Sequence, residues 1–150
     1  MNLETKINED IKSAMLAKER KRLDALRAVK SALLLLKTEK GSDGEITEEA
    51  ELKLLQKLVK QRKDSAALYK EQNRDDLYQE EVFQLEVIAQ YLPEQLSDEE
   101  ITSVVKQLIA EHNITNSKEM GKLMGLSSKA LAGKADNKKV AEIVKKELGA

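Results

Sequence analysis

A chain of 150 residues has room for one domain of ordinary size or for two small ones. It holds no cysteine, which excludes disulfides, thiolate metal sites and a thiol nucleophile; 35% charged and 3% aromatic residues are the composition of a helical protein with long charged faces. The net charge of −1 conceals an uneven distribution: basic residues dominate from Lys12 to Lys40 and acidic ones from Glu71 to Glu100, while the lysines between Ser117 and Lys146 meet only Glu119, Asp136 and Glu142.

The start of the chain lacks the basic-then-apolar pattern of a signal peptide, and its longest apolar run, Ala32 to Leu36, is far short of the roughly 20 residues that cross a bilayer. A soluble, cytoplasmic chain without a membrane partner is the expectation. Asn2 is a good N-cap for a first helix whose inner face is Leu3, Ile7, Ile11, Ala14 and Met15. After a polar break at Ala17–Lys21, a second helix runs from Arg20 to Lys40. Its wide stripe of Leu23, Leu26, Val29, Ala32, Leu33 and Leu36 implies burial on more than one side. Gly41-Ser42-Asp43-Gly44 is turn chemistry, and Thr47-Glu48-Glu49 opens the longest helix, which reaches about Asn73. A short loop between two long helices predicts an antiparallel hairpin of helix 20–40 on helix 47–73.

Asn73-Arg74-Asp75-Asp76 makes the next break, with Asp75 or Asp76 as N-cap of a helix over 77–91. Pro93 is the only proline, and it disfavours helical geometry at Leu92. Ser97 and Glu100 then form a capping box. Three shorter helices follow: Asp98–Glu111, one from Ser117 interrupted at Gly125, and Asp136–Leu148. The fold expected is all-α, with an elongated N-terminal helical domain (1–95) built on the long hairpin and a small three-helix C-terminal domain (96–150).

Few residues suggest chemistry. His112, the single histidine, falls at a helix end, where capping carbonyls explains it without a metal. Ser127-Ser128-Lys129 has no glycine-rich elbow around it, and Gly121-Lys122 lacks the rest of a phosphate loop. Arg62 lies on or beside the apolar stripe of the long helix, where acidic groups of the next helix are expected to pair with it. Lys118, Lys122, Lys129, Lys134, Lys138 and Lys139, interleaved with Gly121, Gly125 and Gly133, form the best binding signal. Lysines on a compact unit with close access to backbone N–H groups suit phosphates, although a solvated helix face is equally ordinary. Gly133-Lys134-Ala135-Asp136 also sets a helix N-terminus beside them.

The chain resembles the YqeY-like (GatB/YqeY domain) family at Leu26-Arg27, Gln61-Arg62-Lys63-Asp64-Ser65, and Asn73-Arg74 with Leu77 and Glu81. The likeness continues through Tyr91-Leu92-Pro93, Met120-Gly121-Lys122 with Met124, and Gly133-Lys134-Ala135-Asp136. Lys134 and Asn137 depart from it, since the family often has arginine and glycine there. On this resemblance Arg27, Arg62, Arg74, Pro93, Gly121, Gly133 and Asp136 are motif positions. The family is similar to the tail domain of the B subunit of tRNA-dependent amidotransferases, glutamine-using carbon–nitrogen ligases whose tail contributes to tRNA recognition. The resemblance therefore implies a tRNA-binding accessory, with aminoacyl-tRNA or an amidotransferase-related protein as a further partner. No catalytic residue, metal or cofactor is assigned, and catalysis by the chain alone is not expected. The alternative is a protein–protein interaction adapter using the hairpin and the acidic face.

Overall fold

The computed structural model describes residues 2–40 and 45–149, with Lys40 described by its backbone alone; the turn expected at Gly41–Gly44 lies outside them. Every regular element among the described residues is helical: α1 (Leu3–Leu16), α2 (Arg20–Lys40), α3 (Glu48–Glu71), α4 (Asp75–Ala89), α5 (Asp98–Glu111), a 3₁₀ turn (Ser117–Glu119), α6 (Met120–Ala130) and α7 (Asn137–Glu147). The all-α expectation holds.

Local chemistry sets many of the boundaries. The Asn2 side chain accepts the N–H of Thr5 at 2.8 Å, and Thr47 accepts that of Ala50 at 3.1 Å. Ser97 and Glu100 exchange both bonds of a capping box, at 3.2 and 3.1 Å. That bond from the Ser97 N–H holds the Glu100 carboxyl below its usual range. Three helices stop at a residue with positive φ: Lys18 (58°), Asn73 (58°) and Asn113 (52°). In each, the next N–H reaches back five residues, as from Glu19 to the Ala14 carbonyl at 3.0 Å, which satisfies end carbonyls the helix leaves open. α4 lacks the expected aspartate cap. Its N-cap is Arg74, which makes no capping bond with its side chain; the guanidinium binds the Asp76 carboxylate of the first turn at 3.3 and 3.2 Å.

The chain divides into two compact units, one up to Leu92 and one from Pro93. In the first, Ile7, Ala14, Ala25, Leu26, Val29 and Ile88 are wholly buried, together with Leu33 and Leu55. Removing side chains of this size from water is worth about 1.5–3 kcal/mol for each large one. α2 packs on both α1 and α4, as its wide stripe requires. The principal neighbour of α3 is α4 rather than α2. The three residues Gln72–Arg74 between them leave room only for an antiparallel pair, and Arg62 faces Gln84 while Lys70 lies over the Tyr78 ring. The hairpin expected between α2 and α3 is thus replaced as the main pairing. Tyr91, just beyond α4, donates its hydroxyl to the Asp10 carboxylate of α1, and Lys6 sits 5.8 Å from its ring.

The second unit has its own core of Ile101, Val105, Ile114, Leu123, Leu131, Ala135, Val140 and Val144. Its first residues are tied to the α6–α7 connection. The Gln95 amide donates to the Gly133 carbonyl at 2.7 Å, and the Leu96 N–H donates to the Lys134 carbonyl at 2.9 Å. Gly133 has φ 75°, a conformation glycine takes without strain. α6 passes through Gly125 and Ser127-Ser128-Lys129 unbroken, so the expected interruption is absent. An interior glycine costs a helix about 1 kcal/mol, which the burial of Leu123 offsets.

Candidate nucleic-acid interface

α6 has two faces. At ~100° per residue, Leu123 and Ser127 lie on one side and are fully buried. Lys122, Gly125 and Lys129 lie on the other and are exposed. Lys118, in the 3₁₀ turn that precedes the helix, is exposed four residues before Lys122. A Cβ added at Gly121 or Gly125 would meet nothing within 4 Å. Packing therefore does not call for glycine at either position, and both leave bare helix backbone beside the lysines.

Lys134, Lys138 and Lys139 surround the start of α7 and are also exposed. Among the described residues only Lys139 of these three is paired: its Nζ lies 2.7 Å from Asp98 Oδ1, and that hydrogen bond, followed by the charge of Asp98, raises its pKa. Both groups are largely solvent-exposed, so the pair contributes little to stability. The ammonium groups of Lys118, Lys122, Lys129, Lys134 and Lys138 have no carboxylate partner among the described residues. The N-terminus of α7 is capped from within, since the Asp136 carboxylate accepts the N–H of Lys138 at 3.3 Å. Lysines in that first turn sit at the positive end of the helix dipole, where an added anion is favoured. Seven residues on from Lys138 and Lys139, Lys145 and Lys146 extend the same outer face of α7. The seven-residue spacing was the signal that could have added them.

The unit from Pro93 onward contains no arginine, phenylalanine, tyrosine or tryptophan. It therefore offers charge to phosphates, with neither bidentate guanidinium contacts nor a phenyl or indole platform for base stacking. His112 is exposed at the C-cap of α5, where its backbone N–H meets the Leu108 carbonyl. The remaining motif residues divide between the units. Pro93 opens the second unit, which also holds Gly121, Gly133 and Asp136. Arg27 is exposed on α2, Arg74 pairs with Asp76, and Arg62 is half-buried between α3 and α4. The pairing of Arg62 with acidic groups is not formed. Its partners are the amide oxygens of Gln84 and Gln61, both at 3.4 Å. Among the described residues no group of three or more histidine, cysteine or acidic side chains could hold a metal ion, and no helix is long and apolar enough to cross a membrane.

These features define a small all-helical protein with a lysine-faced three-helix unit at its C-terminal end. The chain belongs to the YqeY-like protein family, whose pattern matches residues 4–148. It is similar to altered inheritance of mitochondria protein 41 of Clavispora lusitaniae, with 37% identity over 105 residues, 68% of this chain and 59% of the relative. The Lachancea thermotolerans protein of the same name is 33% identical over 113 residues, 73% of this chain and 59% of the relative. That of Pyrenophora tritici-repentis is 26% identical over 148 residues, 97% of this chain and 80% of the relative. The chain thus spans about three fifths of the length of the first two. All three are named as mitochondrial, which overturns the cytoplasmic placement drawn from the sequence. Cysteine content and hydropathy report on disulfides and membrane spans. An organelle address is read from a separate targeting segment, so neither property excludes one.

Proposed function

We propose that the protein is a tRNA-binding accessory, akin to the tail of an amidotransferase B subunit, that grips folded RNA by its phosphates and performs no carbon–nitrogen ligation alone. The observation that carries this reading is the set of five exposed lysines that have no carboxylate partner among the described residues, on a unit devoid of arginine. Division of labour is part of the proposal: residues 96–150 meet the RNA, while residues 1–95 present it to an aminoacyl-tRNA or amidotransferase-related partner. Recognition is then by shape and backbone charge rather than base sequence.

Filter binding of tRNA against salt tests it. If about four lysines meet phosphates, the log–log slope is roughly −3, and replacing Lys118, Lys122 and Lys129 together by glutamine removes most of it. Absence of tRNA affinity at low salt overturns the proposal. A second reading, a protein-binding adapter, is favoured by Leu34 and Leu35, which stand 48% and 62% exposed on α2. Capture of a protein partner that survives nuclease and high salt, and is lost on replacing both leucines by serine, selects it.

A further inference from the structure

Arg62 occupies a core position on α3. Leu58 and Val59 before it and Ala66 after it are buried, and the side chain itself is half-buried. Around it α3 and α4 leave a cleft of about 550 Å³ lined by Gln61, Arg62, Asp64, Ser65, Glu81 and Gln84, with no apolar side chain. Glu81 and Gln84 are half-buried positions of α4, so polar groups from both helices fill a layer that the rest of this helix pair fills with apolar ones.

A guanidinium has five N–H donors, and in such a place it ordinarily finds a carboxylate. Here it makes two long bonds at 3.4 Å to neutral amide oxygens. Among the described residues no carboxylate lies within ion-pairing distance of it, although Asp64 and Glu81 line the same cleft. The side chains of Asp64, Ser65 and Glu81 have no partner of their own among the described residues. The cleft therefore holds one cation and two anions, Asp64 exposed and Glu81 half-buried, with no ion pair between them among the described residues.

We propose that this cleft binds a free amino acid, its α-carboxylate on the Arg62 guanidinium and its α-ammonium toward Asp64 and Glu81. The other ligand classes fit less well. A phosphate would lie beside two carboxylates, a simple cation would face the guanidinium, and an apolar ligand would find no wholly apolar side chain to pack on. The volume is within the range of small-molecule sites. The inference draws on no lysine of the C-terminal unit and stands apart from the RNA reading.

Nitrogen-15 NMR titration of the full chain with glycine, acetate, glycinamide and inorganic phosphate tests it. Glycine is expected to shift the amides of residues 61–65 and 81–84 saturably in the millimolar range. Acetate and glycinamide, each lacking one charge of the zwitterion, should bind at least about tenfold more weakly. Arg62→Lys, which keeps the charge but loses the fork, and Glu81→Gln should each weaken glycine by about tenfold while the helical circular dichroism is retained. If Arg62→Lys fails to fold, Glu81→Gln alone decides. The proposal is overturned if glycine fails to saturate by about 100 mM, if acetate or phosphate binds as tightly as glycine, or if Glu81→Gln leaves glycine binding unchanged.

Discussion

The two units are built from the same helical chemistry and finish their surfaces in opposite ways. The exposed large apolar side chains identified among the described residues (Met15, Leu16, Leu34, Leu35, Leu68 and Phe83) all belong to the first unit. So do all five arginines and all four of the phenylalanine and tyrosine residues. The second unit shows the solvent lysine, acidic and small or neutral polar residues, with no large apolar side chain exposed among the described ones. A surface of the first kind can be shape-complementary to a protein or a small ligand, because it offers apolar area, guanidinium forks and rings. One of the second kind offers little but mobile point charges and accessible backbone, which suit an irregular polyanion. Composition averaged over the chain hides this contrast, and so does net charge, since each unit is close to neutral by itself.

The contrast breaks most readily if the cores are not separate. Leu26→Ala in the first core and Leu123→Ala in the second should each cost about 2–5 kcal/mol, as both side chains are wholly buried. Segment-resolved hydrogen exchange checks the comparison. Faster exchange confined to residues 2–92 for the first variant and to 93–149 for the second is expected. Equal acceleration in both would reduce the two units to one cooperative body.

Tyr91 sharpens the picture of the first unit. Burial, then its hydrogen bond to Asp10, pushes the phenol pKa well above the ordinary 10.0. A group that holds its proton more tightly when folded contributes stability fully present below pH 10.0 and lost as the pH rises beyond it. Tyr91→Phe should cost about 1–2 kcal/mol at pH 7. Denaturation midpoints taken at pH 8 and pH 10.5 should then fall less for the variant than for the parent. An equal fall in both would show that the phenol ionises as freely in the folded protein as in the unfolded chain.

In the second unit the Ser127 hydroxyl is fully buried with no hydrogen-bond partner among the described residues. Ser127→Ala should raise the stability of this unit by about 1 kcal/mol, because the hydroxyl gave up water on folding and gained nothing for it. A lower melting temperature for the variant would contradict this.

Elements governed by a few neighbouring residues were legible in advance. The Asn2, Thr47 and Ser97 caps stand where the sequence places them, because a hydroxyl or amide three residues before an open N–H needs no distant partner. Features decided by competition were not legible. The helix begins at Asp75, so Asp76 lies inside its first turn, paired with Arg74, and the cap position falls to Arg74. Arg62 meets amides and leaves the nearby carboxylates alone, an outcome fixed by side-chain reach across two helices. The partner of α3 depends on which of two neighbours presents the better face, and amphipathic periodicity does not encode that choice. At the lysines the residues were legible singly. That Lys122 and Lys129 share one face of α6 became visible only once Gly125 proved to lie inside a continuous helix.

That continuity yields the smallest predicted change in stability and the sharpest functional one. Gly121 and Gly125 are exposed positions of an unbroken helix with nothing near an added Cβ. Alanine at each should therefore stabilise the second unit by about 0.5–1 kcal/mol, through helix propensity and the smaller entropy of the unfolded chain. If the bare backbone serves only as solvated surface, the double variant melts higher and binds tRNA as before. If phosphates approach the helix between Lys118, Lys122 and Lys129, two new methyl groups hold them off. The same variant then melts higher and binds more weakly, with the lysine charges untouched. Thermal melts and filter binding on one preparation separate the two outcomes. A gain in stability coupled to a loss of affinity has no explanation in folding, and it would place the contact surface on this face of α6.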